Sequence, residues 1–339
     1  MAPTRLAEKL ARIAHDPSGA KDFIICDAKD SDMGFGAAHT GAVYDAAGKA
    51  TPRFKTRAQF LEQIRAIVRQ DIVDCMLMGV GNCVRLAGDE KLFLGSKMAV
   101  AVRANDASDV WAVRHGGYMS TPSVPFRTAE LAHVGAGNPD LALADICLYS
   151  VTFNNDVEAD HRSLTAFKAF RQEVEALGFP YFLEVFNPNA ASGLDPKLMP
   201  HYVNDCIIRS LAAVPERMRP KFLKVAYNGP RALEELAGYD PKLIVGVLGG
   251  SSGTTHDCLK LVHDAKKYGA RVALFGRKIN LAEDPLGIIA QMRAVADGEV
   301  SPEEGVNAYH AGLAKQKLRP YRPLADDLAV TEAVLQPAA

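Results

Sequence analysis

The stretch Leu243-Ile-Val-Gly-Val-Leu-Gly-Gly-Ser-Ser-Gly253 joins a short apolar run to a glycine-rich turn. An amphipathic helical stretch follows from about Thr255 to Tyr268 and ends at Gly269, and a second apolar run, Ala270-Arg-Val-Ala-Leu-Phe275, comes directly after it. A run that is apolar throughout, rather than at alternate positions, is typical of a strand buried on both faces, as in a parallel sheet. This segment therefore predicts a strand–helix–strand unit.

Apolar runs of this kind recur along the whole chain, and most are followed by a helical stretch. There are eight of them, at residues 23–27, 75–80, 97–102, 141–151, 180–186, 222–226, 243–248 and 270–275. Right-handed strand–helix units repeated in this way close into a barrel. An open doubly wound sheet is the runner-up, but the turn after the first run lacks a G-x-G-x-x-G fingerprint. The pattern predicts an α/β protein with a single (β/α)8 TIM barrel over about 21–317, in one domain that spans 1–339.

Two connections are much longer than an ordinary loop between a strand and a helix. They run from about 28 to 56, after the first strand, and from about 103 to 140, after the third. Because both follow strands, we expect them over the C-terminal face of the barrel, where active sites of this fold form. The tail, about 318–339, is predicted to be an arm against the body or a neighbouring subunit, and we expect a homo-oligomer.

Composition and charge exclude several classes of protein. Lys plus Arg number 39 and Asp plus Glu 40, so the net charge of −1 argues against a protein that binds nucleic acid or a membrane surface. No apolar stretch is long enough for a membrane-spanning helix, and the charged N-terminal residues do not resemble a secretory signal. The six cysteines occur singly, as is typical of reduced thiols. We therefore expect a cytoplasmic protein with a small-molecule partner.

Lys224 stands inside the apolar run Phe222-Leu-Lys-Val-Ala226, on a strand that should be buried. Burying a protonated amine costs free energy, so such a site favours the neutral, nucleophilic form. A desolvated lysine attacks carbonyl carbons and forms Schiff bases. The alternative is a lysine at the end of a strand whose amine reaches out to solvent.

Two glycine-bearing turns follow the seventh and eighth predicted strands. Gly249-Gly-Ser-Ser-Gly253 comes after the seventh, and Gly276-Arg-Lys278 after the eighth. In (β/α)8 barrels these two loops often form a phosphate site, because glycines let backbone N–H groups approach the phosphate oxygens. Arg277 adds a two-pronged donor. The sequence predicts a phosphate-binding site here.

These motifs together resemble a known family. Phe222-Leu-Lys-Val225, Gly249-Gly-Ser251 and Phe275-Gly-Arg-Lys-Ile279 are similar to the corresponding segments of class I, Schiff-base aldolases. Within that family the segments most resemble those of tagatose-bisphosphate aldolase and the archaeal-type class I fructose-bisphosphate aldolases. They resemble deoxyribose-phosphate aldolase more distantly. The resemblance is clear over about 180–296. It implies a lyase of carbohydrate metabolism that cleaves or forms a C–C bond in a phosphorylated ketose without a cofactor or metal.

The resemblance also implies roles for individual residues. Lys224 matches the Schiff-base lysine, and Asp27 and Glu184 match carboxylates near the reacting centre. The matched phosphate positions are Gly249, Gly250, Ser251, Gly276 and Arg277. Lys29 is a further candidate, for contact with a second phosphate or a carboxylate.

The chain departs from the family at several positions. Phe186 stands where archaeal-type fructose-bisphosphate aldolases have a tyrosine acid/base, and the segment after Asp27 and the fourth strand also differ from the family pattern. These departures favour a substrate other than fructose or tagatose bisphosphate. They leave Glu184 or Asp27 as the general base, with the pKa of one carboxyl raised by burial while the other stays ionised.

Other functions stay open at this point. A catalytic metal is disfavoured because no two of the nine histidines have the spacing of a shared-metal pair. A serine hydrolase is also disfavoured, because the match to G-x-S-x-G at Gly249-Gly-Ser-Ser-Gly253 is the glycine-rich turn already assigned to phosphate. His39 and His115 lie in the two long loops and are candidate proton shuttles. The remaining alternatives are a phosphate-binding isomerase or decarboxylase that uses lysine as an acid or base, and a non-catalytic barrel that binds sugar phosphates.

Overall fold

Eight parallel strands close into a barrel in the computed structural model, which describes residues 3–45, 49–138, 140–250 and 253–336. Each strand pairs with the strands before and after it in the chain, and the first pairs with the last. The strands are β1 (Ile24–Lys29), β2 (Cys75–Met78), β3 (Ala99–Arg103), β4 (Ile146–Thr152), β5 (Tyr181–Phe186), β6 (Leu223–Val225), β7 (Val245–Leu248) and β8 (Val272–Phe275). The predicted (β/α)8 TIM barrel is confirmed.

Helices surround the barrel and begin mostly at capping residues. They are α1 (Arg5–His15), α2 (Arg57–Gln70), α3 (Val157–Ala176), α4 (Met199–Leu211), α5 (Pro230–Tyr239), α6 (Thr255–Lys267), α7 (Arg277–Leu281), α8 (Pro285–Asp297) and α9 (Pro302–Lys315), with short helical turns elsewhere. Thr56 and Thr254, for example, cap α2 and α6 through reciprocal bonds with the third residue of each helix. Among the described residues, no helix is both long and apolar enough to cross a lipid bilayer.

Alternation along the strands divides the apolar residues into two clusters. On β1, Ile24, Cys26 and Ala28 belong to the cluster inside the barrel, whereas Ile25 packs outward against the helices. Leu6 and Ile13 of α1 join the inner cluster, so α1 covers the N-terminal end of the barrel. The inner cluster is apolar through its lower layers, and the polar residues described below lie above it.

The two long connections contain structure of their own. The first holds a helical turn, Asp32–Phe35, and an antiparallel hairpin of Ala42–Tyr44 with Ala50–Phe54. The second holds a two-residue ribbon of Asp106–Ala107 with Pro125–Phe126. Both follow strands and lie on the C-terminal face, as predicted.

The C-terminal segment packs against the body of its own chain. Asp257 at the start of α6 accepts hydrogen bonds from the backbone N–H groups of Thr331 and Glu332, and Leu335 is buried. Asp327 accepts from the backbone N–H of Thr255. The described part of the predicted arm is therefore fixed on the barrel, beside the loop that follows β7.

Candidate active site

A cavity of about 440 Å³ opens at the C-terminal ends of the strands. Its walls come from the ends of β1, β3, β5, β6, β7 and β8 and from the two long connections. The lining includes Asp30, Met33, Phe35, Arg103, Asp109, Val110, Met119, Glu184, Phe186, Lys224, Gly249, Gly250, Gly276 and Arg277. Most of the polar residues among them come from strand ends, which is the usual place for the chemistry of a (β/α)8 barrel.

Lys224 and Glu184 form an ion pair at the floor of the cavity. Each lies two residues beyond an apolar residue of the inner cluster, Phe222 and Phe182, so alternation aims both side chains into the barrel. Nζ of Lys224 lies 2.5 Å from Oε1 of Glu184, and the two residues are 6% and 1% exposed. The predicted burial of Lys224 is confirmed, but its amine is paired with a carboxylate rather than left alone in an apolar pocket.

Arg103, at the end of β3, joins this pair to a second carboxylate. Its Nη2 donates to Oε2 of Glu184 at 2.8 Å and its Nε to Oδ2 of Asp30 at 2.6 Å. Its Nη1 donates to Oγ of Ser150 on β4, at 3.0 Å. Two cations and two carboxylates therefore alternate across the floor of the cavity.

The charges in this network determine the protonation of its carboxylates. Burial alone would raise the pKa of Asp30, but the positive charges of Arg103 and Lys224 outweigh it and hold that pKa below its usual value. Burial alone would lower the pKa of the Arg103 guanidinium. The negative charges of Asp30 and Glu184 outweigh this effect and raise that pKa above its usual value. Asp30 is therefore ionised at neutral pH, and Arg103 holds it in place.

The predicted phosphate residues that the structure describes lie together at another side of the same cavity. Gly249 and Gly250 follow β7, Gly276 and Arg277 follow β8, and all four line the cavity. A Cβ on Gly276 would lie 2.8 Å from the carbonyl oxygen of Ala28, so only glycine fits this turn. Arg277 donates to the carbonyl oxygen of Gly250 at 2.5 Å, which joins the two turns. Ser251, also predicted here, lies outside the described residues.

Asp27 and Lys29 do not reach the cavity. Strand β1 continues to Lys29, beyond its predicted end at Asp27, and the alternation of the strand turns both side chains outward. There Nζ of Lys29 lies 3.2 Å from Asp27 and donates to Gln63 of α2 and to Asn280 of α7. Burial raises the pKa of Asp27 to about 6, although the charge of Lys29 opposes it. The predicted catalytic role of Asp27 and substrate contact of Lys29 do not agree with this placement.

The two candidate histidines are also outside the described lining of the cavity. His39 packs edge-on against Phe60 of α2, at 4.6 Å between ring centroids, and burial lowers the pKa of its ring. His115 is exposed on the second long connection, in a left-handed conformation with φ of 66°. The described residues contain no group of three His, Cys, Asp or Glu side chains arranged to hold a metal ion.

Three polar residues of the cavity floor were not identified from the sequence. They are Asp30, Arg103 and Ser150, and each lies two residues beyond an inward apolar residue: Ala28, Ala101 and Leu148. The signal was therefore present in the alternation of each strand. The predicted first and third runs end at Asp27 and Val102, before Asp30 and Arg103. Ser150 lies inside the predicted fourth run, where one hydroxyl group among apolar residues was not taken as a site residue.

Comparison with known proteins agrees with the barrel. No family model matches the sequence, and no curated protein matches it. Among solved structures, an archaeal fructose 1,6-bisphosphate aldolase is 17% identical with a TM-score of 0.60, covering 86% of this chain and 98% of that chain. A Schiff-base-forming fructose-1,6-bisphosphate aldolase is also 17% identical, with a TM-score of 0.58 over 86% and 98% of the two chains. A fructose-bisphosphate aldolase from Slackia heliotrinireducens is 13% identical, with a TM-score of 0.64 over 90% and 91%. At these identities the likeness shows the fold, and this chain has the (β/α)8 barrel of those aldolases.

Proposed function

We propose that the protein is a class I aldolase, in which Lys224 forms a Schiff base with the carbonyl carbon of a phosphorylated ketose. The observation that carries the proposal is the contact between Lys224 and Glu184 on the cavity floor, 2.5 Å between Nζ and Oε1. A nucleophilic amine needs a group that takes its proton, and this carboxylate lies within hydrogen-bond reach of it. The solved aldolases of the same fold support the proposal at the level of architecture.

Glu184 is the proton carrier in this proposal. Oε1 of Glu184 accepts a proton from the ammonium of Lys224, and the neutral amine attacks the ketone carbon to give a carbinolamine. Glu184 then returns the proton to the departing hydroxyl group, which leaves as water, and a protonated imine remains. Arg103 holds Oε2 of Glu184 at 2.8 Å, so Oε1 stays directed at the lysine throughout.

The same carboxylate serves the cleavage of the C–C bond. Ionised Glu184 accepts the proton of the hydroxyl group beyond the bond that breaks, and the bonding electrons move into the protonated imine to give an enamine and a free aldehyde. Glu184 then returns this proton to the enamine carbon, and hydrolysis of the resulting imine by water releases the second product and restores Lys224. Phe186 lines the cavity but has no proton to give, so a carboxylate takes that task here.

The phosphoryl group of the substrate binds at the two glycine turns in this proposal. Gly249, Gly250 and Gly276 allow close approach of the backbone, and Arg277 supplies a charged donor. Because β7 and β8 follow β6 in the barrel, this subsite is beside Lys224. A cytoplasmic location, a homo-oligomeric state and a single-domain organisation belong to the same proposal.

A cleavage assay against a panel of ketose phosphates tests the function. We expect release of an aldehyde from at least one of them, unaffected by EDTA, and loss of at least about 10³-fold of that activity in Lys224→Arg, which keeps the charge. Isomerised product without aldehyde would indicate the isomerase alternative. A ligand-induced rise in melting temperature without any turnover would indicate a binding protein.

A further inference from the structure

The cavity has two chemically different sides. On one side are the glycine turns after β7 and β8, with Arg277. The barrel order places β3 four strands away from β7, which is directly opposite in a ring of eight. The far side is therefore built by the connection after β3, together with residues after β5. Strand β1 is adjacent to β8, but the helical turn that follows it reaches the far side by contact with the connection after β3.

The far side is largely apolar. Met33 and Phe35 come from the helical turn after β1, Val110 and Met119 from the connection after β3, and Phe186 from the end of β5. The two connections touch, because a Cβ on Gly34 would lie 3.0 Å from the carbonyl oxygen of Val110. These side chains offer no hydrogen-bond donors to a ligand.

Arg103, at the end of β3, is engaged by Glu184, Asp30 and Ser150, and the charged group that the connection after β3 adds to the lining is a carboxyl group. Asp109 lines the cavity, is 7% exposed, and accepts from Oγ1 of Thr152 at 2.5 Å and from Oγ of Ser123 at 2.8 Å. Both of its carboxyl oxygens therefore accept from hydroxyl groups of the protein. Arg114, the nearest cation along the same connection, lies over the ring of Phe54, 4.9 Å from its centroid, and does not line the cavity.

The polar amide on this side donates its N–H groups to the backbone. Nδ2 of Asn189 donates to the carbonyl oxygens of Met119 and Thr121, at 2.9 and 2.7 Å. Its Oδ1 is buried without a hydrogen-bond partner. The far side thus presents apolar surface and the carboxyl group of Asp109, and the amide N–H groups of Asn189 are already used by the backbone. These surroundings suit a neutral group with hydroxyl donors.

We infer that the substrate carries a single phosphoryl group, bound at the glycine turns, and that the part of it on the far side is neutral. This inference rests on the proposed function and names its substrate class: a ketose monophosphate whose aldehyde product has no phosphate. A second phosphate would lose its hydration beside apolar side chains and face the carboxylate of Asp109. Desolvation and like-charge repulsion both oppose that arrangement.

Calorimetric binding of two unreactive probes, a hexitol 1-phosphate and the matching hexitol 1,6-bisphosphate, tests the inference independently of catalysis. We expect the monophosphate to bind at least about tenfold more tightly, a difference of about 1.4 kcal/mol. Arg277→Ala should weaken the monophosphate by a similar factor, because its phosphate lies at the turns.

Two variants of the far side and one control complete the experiment. Asp109→Asn should reduce the difference in affinity between the monophosphate and the bisphosphate. Val110→Lys should reduce this difference further, because it adds a cation. Asp205→Asn, on the exposed face of α4, should leave the difference in affinity unchanged. Equal or tighter binding of the bisphosphate by the unaltered protein, or binding of neither probe, would overturn the inference. Because no Schiff base forms with a hexitol, the result is separate from that of the proposed chemistry.

Discussion

Lys224 and Glu184 are paired residues on adjacent parallel strands, and their side chains meet inside the barrel at 2.5 Å. Parallel pairing of β5 with β6 places the two α-carbons side by side, and the alternation of each strand turns both side chains inward. Any proton that leaves the amine of Lys224 therefore has the carboxylate of Glu184 within hydrogen-bond reach. Arg103 engages the other oxygen of Glu184, so the carboxylate is held from both sides.

This relationship predicts the effect of Glu184→Gln. The amide keeps the shape of the side chain but no longer accepts the proton of Lys224 or returns it to the departing hydroxyl. We expect kcat to fall by about 10²–10⁴-fold, the usual contribution of a positioned acid or base, with a small change in KM. Steady-state kinetics measure both. A decrease in kcat below about threefold would show that another group carries the proton.

Asp30 and Asp27 are three residues apart and lie on opposite sides of β1. Asp30 holds Arg103 inside the cavity, and Asp27 pairs with Lys29 in the outer layer. We expect Asp30→Asn to lower kcat at least about tenfold, because Arg103 loses a charged partner, and Asp27→Asn to leave kcat within about threefold. Kinetics below the melting temperatures of both variants make the comparison. A folded Asp27→Asn protein without activity would restore the role first predicted for Asp27.

Arg103→Met should lower both stability and activity. Removing one partner of a buried ion pair leaves uncompensated charge, which costs about 3–5 kcal/mol, and here two carboxylates lose the same partner. Arg103→Lys keeps the charge but not the three-way geometry, so it should recover more stability than activity. Thermal unfolding and kcat, measured on both variants, distinguish the two effects. Full activity in Arg103→Lys would show that charge alone is needed.

The loss of stability should depend on pH. Arg103 lowers the pKa of Asp30 in the folded protein, so the stability that Asp30 contributes is present above its unfolded pKa and is lost as pH falls through the folded value. The gap in melting temperature between the unaltered protein and Arg103→Met should be widest near neutral pH and shrink below about pH 4. A difference in melting temperature that grows as the pH falls would contradict this role of Asp30.

Arg277→Ala tests the phosphate subsite. A lost hydrogen bond to a charged group costs about 1.5–3 kcal/mol, so KM for a phosphorylated substrate should rise about tenfold to a hundredfold. The KM for the same sugar without phosphate should change little. Arg217→Ala is a matched control, because Arg217 precedes β6 and therefore lies toward the opposite end of the barrel. Equal effects on the two substrates would exclude a phosphate contact.

The architecture and part of the site follow from the sequence for clear physical reasons. Strands buried on both faces are apolar throughout, so all eight were identified, and the helix predicted at about 255–268 is α6, Thr255–Lys267. Lys224 was conspicuous because it interrupts such a run. The glycine turns were found because backbone geometry restricts those positions to glycine.

The rest of the site depends on closure of the barrel. Arg103 and Glu184 are 81 residues apart in the chain, and their contact exists only because β3, β4 and β5 are neighbours in the sheet. Asp109 belongs to a connection whose path is fixed by contacts with β4 and with the loop after β5. No local pattern in the sequence predicts such contacts.

Reductive trapping shows whether Lys224 forms a Schiff base with a sugar phosphate. The protein is treated with sodium borohydride in the presence of dihydroxyacetone phosphate or members of the ketose phosphate panel, and the modified peptide is located by mass spectrometry. We expect one covalent adduct, on Lys224, and none in Lys224→Arg. The absence of an adduct with every sugar phosphate, or an adduct on a different lysine, would contradict it.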